Sequence, residues 1–167
     1  VSAFVLPNDA GKNWQVMQWH NGEAQLADHN YQRLSIFHSK AKKIITEIYQ
    51  DLASHADFQG LLFHDDALLT DFEDVRPEAM AYYARNGLPN NVAQLRTEKW
   101  IDQWSQVKTE ALTNFTLELS SAVRQYRPNI ETARNIYAKP ITDVNASRWF
   151  AQSLDNFIKN YDYTAVM

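Results

Sequence analysis

The chain has 167 residues, 45% of them hydrophobic and 22% charged, which suits one globular domain with a sizeable core. It lacks cysteine, which excludes disulfides and thiolate metal sites. Its net charge is −4 with no dense Lys/Arg cluster, which argues against nucleic acid as a partner. No apolar run approaches the roughly 18 residues of a membrane-spanning helix. Residues 1–6 do not read as a signal peptide, and the chain starts and stops inside strand-like runs, as if cut from something longer.

Residues 1–6 read as a buried strand ended by Pro7-Asn8-Asp9. Residues 8–34 have no clear period and carry Trp14, Trp19, His20, Asp28, His29, Tyr31 and Arg33. A long loop this rich in aromatics points to function rather than disorder. Ser35 or Ser39 caps a helix running to about residue 54, with Ala41, Ile44, Ile45, Ile48, Tyr49 and Leu52 on one face.

A strand at residues 58–66 follows and ends in Gly60-Leu61-Leu62-Phe63-His64-Asp65-Asp66. Five acids lie within residues 65–74, and acids at the C-terminal end of a buried strand are where α/β proteins usually keep their chemistry. The plainer reading is an acidic loop that caps the next helix. Pro77 starts that helix and Gly87 ends it. After a short turn around residues 91–95, a long helix spans about 97–126. Its apolar stripe includes Trp100, Ile101, Trp104, Val107, Ala111, Phe115, Leu119 and Val123, and its tryptophans read as core.

Residues 130–137 read as the next strand, a helix starts at Asp143 or Ser147, and residues 163–167 form a fourth strand. Alternating strands and helices predict parallel strands with right-handed crossovers, either half of a (β/α)8 barrel or a small open sheet. Both arrangements bring loops 8–34, 66–76 and 136–146 to the carboxyl end of the sheet.

Side chains alternate along a strand, so Leu61, Phe63 and Asp65 share one face and Leu62, His64 and Asp66 the other. Phe63 belongs under helices, which turns His64 and Asp66 to the cleft and makes Asp66 the better catalytic acid. Asp65 then stands behind it or binds substrate. Arg134 on a lumen-facing side would hold the carboxylates or a sugar hydroxyl; the plainer reading is a structural ion pair. Paired carboxylates suit glycoside hydrolysis, at about 5–5.5 Å for retention or 6.5–9.5 Å for inversion. Adjacent residues on opposite strand faces do not readily give that spacing, so the second acid is Asp71, Glu73, Asp74 or a residue outside the chain. A metal site from His64 with Asp65 or Asp66 lacks a matching His-rich motif elsewhere. No cofactor is implied.

Phe63-His64-Asp65-Asp66-Ala67 with Leu69-Thr70-Asp71-Phe72-Glu73-Asp74 resembles the C-terminal glycoside-hydrolase-like domain of the PgaB (HmsF) family of poly-β-1,6-N-acetylglucosamine N-deacetylases. Tyr31-Gln32-Arg33-Leu34-Ser35, Thr132-Ala133-Arg134-Asn135-Ile136-Tyr137-Ala138, Trp149-Phe150-Ala151-Gln152 and the Tyr161–Met167 run carry the same resemblance. The chain departs from the family pattern at Ile36 and His38. The resemblance implies a (β/α)8-type barrel, here about half of one, as part of a two-domain periplasmic lipoprotein tied to outer-membrane export machinery. The missing N-terminal domain would hold the deacetylase metal, so no metal carries over. The polymer would lie in a groove, either cleaved internally or only guided. By resemblance the groove's acids are Asp65 and Asp66 as catalytic residues. His64, Asp71, Glu73, Tyr31, Arg33, Arg134 and Asn135 would contact the polymer. A half barrel would also leave open sheet edges through which the chain self-associates.

Overall fold

The computed structural model describes residues 12–27, 33–143 and 145–167. The strand expected at residues 1–6, and Asp28, His29 and Tyr31, lie outside the described residues.

The long first loop is in part a β-hairpin, which the sequence reading did not foresee. Strands β1 (Met17–His20) and β2 (Glu23–Leu26) pair antiparallel across Asn21-Gly22. Both turn residues have positive φ, 51° and 87°, as a type I′ turn demands. Strand β1 also binds the acidic loop: the Trp19 amide donates to the Phe72 carbonyl (2.8 Å) and the Val75 amide to the Met17 carbonyl (3.0 Å).

Helix α1 (Ser39–His55) matches its expected span and buries Ala41, Ile45 and Ala53. Strand β3 (Gly60–Phe63) pairs parallel with β4 (Glu131–Ile136), which pairs parallel with β5 (Tyr163–Val166). Between β3 and β4 run α2 (Pro77–Arg85), α3 (Val92–Leu95) and the long α4 (Ile101–Arg124). Pro77 sits in the first turn of α2 and Gly87, at φ 79°, follows its end, as their chemistry dictates. Between β4 and β5 lie α5 (Lys139–Thr142), α6 (Ser147–Phe150) and α7 (Leu154–Asn160). The single helix expected there is broken at Ala151, whose backbone is left-handed (φ 48°, ψ 47°). That conformation costs an alanine about 1–2 kcal/mol. Among the described residues no helix is long and apolar enough to cross a membrane.

Helix α4 joins two cores. Its C-terminal half, with Leu112, Phe115 and Leu119, packs with Phe63, Ile136, Phe157 and Ile45 between the sheet and α1 and α7. Its N-terminal half brings Trp104 and Val107 to Tyr83, Val92 and Leu95. Trp104 is fully buried, as the periodicity implied. Each such large apolar side chain contributes roughly 1.5–3 kcal/mol on burial. The chain thus has a mixed α/β fold in which one parallel sheet aims its carboxyl ends, and the loops after them, at one side.

Candidate active site

The alternation read along β3 holds. Phe63 and Asp65 are buried, whereas Leu62, His64 and Asp66 are exposed. The turn after the strand gathers His64, Asp65 and Asp66. His64 Nδ1 contacts Asp65 Oδ1 and lies 3.6 Å from Asp66 Oδ2, so one imidazole stands between two carboxylates. The Asp66 side chain is 59% exposed and that of Asp65 only 7%. One ligand atom from each of the three lies within 4.8 Å of the others. The two carboxylates are therefore closer than opposite faces of an ideal strand allow, because the chain leaves β3 at Phe63 and turns. The same atoms offer a divalent cation one nitrogen and two oxygens; carboxylate clusters of this kind serve acid–base chemistry equally well.

Strand β4 supplies the neighbouring wall. Tyr137, just past its end, hydrogen-bonds the Asp65 carboxylate, and that bond pushes the phenol up to about 12, with burial adding to it. Tyr137 stays protonated and donates to Asp65 across the working pH range. The Phe150 ring packs on Tyr137 at 5.0 Å between centroids. Gln152, wholly buried, accepts from the Tyr137 amide (3.1 Å). Asn135 is buried on the strand face opposite Arg134. The register that pairs Phe63 with Arg134 brings it level with His64. Neither Tyr137 nor Gln152 received a role from the sequence, although both stand in its motifs. Tyr137 shares the alternation set of Asn135, which was the signal available.

Three predicted polymer contacts face elsewhere. Arg134 is 1% exposed and shares the helix-facing side with Phe63. It donates to the His64 carbonyl (2.9 Å) and the Ala67 carbonyl (2.6 Å), with its guanidinium 5.0 Å from the Phe157 ring centroid. The lumen-facing placement of Arg134 is thus corrected, since burying Phe63 buries its register partner. Glu73 is wholly buried, and its carboxylate accepts from Arg33 Nη2 (2.5 Å) and from the Thr70 amide (3.1 Å). Arg33 spends its other nitrogen on the Leu68 carbonyl (2.8 Å). Arg33 and Glu73 therefore close the loop from within instead of lining a groove.

Lys108 of α4 reinforces them from below, donating to the carbonyls of Thr70 (2.5 Å) and Glu73 (3.1 Å). Burial pushes Lys108 down to about 7, against the pull of Asp71, Glu73 and Asp74. Burial pushes Asp74 up to about 6, against its hydrogen bonds with Ser35 and the Met17 and Arg76 amides. Asp71 stays near the surface, 3.8 Å from Arg96, whose guanidinium covers the exposed Phe72 ring at 3.9 Å.

Comparisons with known proteins identify the family. The model of hypothetical glycosyl hydrolase family 13 (GHL13) matches residues 1–167. Over 147 residues, 87% of the chain, it is 44% identical to the poly-β-1,6-N-acetyl-D-glucosamine N-deacetylases of Escherichia coli K12 and O157:H7. The chain spans 22% of the length of those relatives. The fold is similar to the PgaB (BpsB) glycoside hydrolase domain of Bordetella bronchiseptica, with a TM-score of 0.88 and 41% identity. That match covers 97% of this chain and 47% of the solved one. The acid-bearing turn at the end of β3 therefore belongs to a PgaB-type glycoside hydrolase domain, and the chain is a member of the GHL13 family.

Proposed function

We propose that the chain is part of a (β/α)8-type barrel that binds partly deacetylated poly-β-1,6-N-acetylglucosamine and hydrolyses it internally. The observation that carries this reading is the His64–Asp65–Asp66 turn at the carboxyl end of a parallel strand. Asp66 is solvent-open and takes the role of general acid toward the leaving glycosidic oxygen. Asp65, buried and engaged by His64 and Tyr137, is the fixed carboxylate beside it. Glucosamine units carry ammonium groups near neutral pH, and clustered carboxylates attract them. Asn135, Asp71 and Tyr31 are the further polymer contacts in this reading. The longer protein would work in the periplasm, at the outer membrane, on the export route of the polymer. The edge strand β5, with Tyr163 57% and Val166 60% exposed, is open to pairing with another copy, which a concentration-dependent mass by light scattering would reveal.

The test is to incubate partly deacetylated polymer with the chain extended to a complete barrel, and in parallel with the Bordetella bronchiseptica domain, reading products by mass spectrometry with and without a chelator. Shortened oligomers at equal yield in both conditions are the expected result. Oligomers that vanish with chelator would replace acid catalysis by a metal held at His64, Asp65 and Asp66. Binding without cleavage by the extended chain, beside cleavage by the control, would make it a polymer-guiding module.

A further inference from the structure

The acid turn is pinned by side chains that do not face the cleft. Arg134 takes the carbonyls of His64 and Ala67. Gln152, from the segment between α6 and α7, donates from Nε2 to the Asp65 carbonyl (3.4 Å). Its Oε1 accepts the Tyr137 amide (3.1 Å). The backbone from His64 to Ala67, which carries both catalytic acids, is therefore tied to β4 and to the segment after α6. A wholly buried amide with both ends engaged is costly to disturb, because either lost bond strands a polar group.

The delivery of Gln152 is itself unusual. Ala151 is buried and left-handed, a conformation alanine avoids. Ser153, the residue after Gln152, caps α7 by accepting the Asn156 amide (3.4 Å). The strained step swings the chain from α6 into α7 and leaves Gln152 pointing inward at the junction. Strain held in this way marks positions that the surrounding structure over-determines, and such positions cluster at functional sites.

We infer that Gln152 is a positioning residue, locking the end of β4 that carries Tyr137 to the turn that carries Asp65 and Asp66. This rests on the glycosidase reading above. Through Gln152 the two loops move as one unit, so the Tyr137 hydroxyl, the Asp65 carboxylate and Asp66 keep a fixed mutual geometry. A misplacement of about 1 Å at such a centre lowers rates roughly a hundredfold.

The experiment compares wild type, Gln152→Glu and Gln152→Leu in the cleavage assay, with amide exchange of Tyr137 followed by NMR. Gln152→Glu, read at a pH where its carboxyl is ionised, keeps an acceptor for the Tyr137 amide and loses the donor to the Asp65 carbonyl. It is expected to hold the slow Tyr137 exchange and the KM while kcat falls tenfold to a hundredfold. Gln152→Leu loses both bonds and is expected to speed Tyr137 exchange as well. Unchanged kcat in Gln152→Glu, with only the melting temperature lowered, would reduce Gln152 to structural support and overturn the inference. Unchanged Tyr137 exchange in Gln152→Leu would overturn it too. A wild-type chain that cleaves nothing overturns the glycosidase reading alone, and the lock between the two loops then stands or falls on Tyr137 exchange.

Discussion

Asp66 and Glu73 lie in one loop, carry the same charge and meet opposite fates. The Asp66 side chain is 59% exposed at the strand end, with His64 3.6 Å away. Glu73 is wholly buried, bound by Arg33 and by the Thr70 amide, with Lys108 on its carbonyl. The difference teaches that acid density alone does not mark a site. A buried carboxylate that pairs with a cation from a distant segment, on a loop whose carbonyls a second cation holds, keeps the loop together. A carboxylate left facing solvent at a parallel strand end is free to meet a substrate.

The contrast is broken most severely at Glu73. Glu73→Ala strands the Arg33 guanidinium in a largely buried place, and opening such a pair costs about 3–5 kcal/mol. The chain is expected to lose that much stability in urea unfolding. Asp66→Asn, on the exposed side of the comparison, should stay within about 0.5 kcal/mol of wild type. A Glu73→Ala variant as stable as wild type would remove the distinction.

Lys108 sharpens the comparison through pH. Its folded value of about 7 lies below the ordinary 10.5, so the folded chain binds fewer protons than the unfolded chain between those values. Stability from this group therefore rises as pH climbs from about 7 toward 10.5. Asp74 acts in the opposite sense lower down. Its value of about 6 exceeds the ordinary 3.8, so its contribution falls as pH rises through that window. Lys108→Met is expected to flatten the rise above pH 7, read as urea midpoints at pH 7 and 9.5. A slope equal to that of wild type would place its origin elsewhere.

Two smaller effects test the rim. Trp149 adjoins the Phe150 that packs on Tyr137, and it is 41% exposed with the Lys139 ammonium 4.8 Å from its ring centroid. Trp149→Ala is expected to weaken polymer binding by about 1 kcal/mol in calorimetry, the worth of one stacked ring. Asp71→Asn loosens a long surface pair with Arg96 and should change stability by less than about 1 kcal/mol.

Much of this layout was legible along the chain, and less of it between segments. Strand alternation placed Phe63 inside and Asp66 outside, and helical periodicity buried Trp104, because both signals are local. Arg134 was misplaced because its side depends on which β3 residue it pairs with, and register between strands is not written in either one. Glu73 looks like a groove residue along the chain because its partners, Arg33 and Lys108, stand 40 and 35 residues away. The hairpin is different: Asn21-Gly22 is a strong local turn signal, but its flanking strands are short and weakly patterned. Ala151 had no signal at all, since alanine rarely adopts a left-handed backbone.

The central claim is that Asp66 performs chemistry while its neighbours hold it in place. The direct measurement is the product distribution from partly deacetylated polymer with wild type and Asp66→Asn, alongside polymer affinity for both. The account predicts a rate loss of about 10²–10⁴-fold with affinity retained, the range expected when a general acid is removed. Cleavage by Asp66→Asn at the wild-type rate would contradict it and move the acid to another residue.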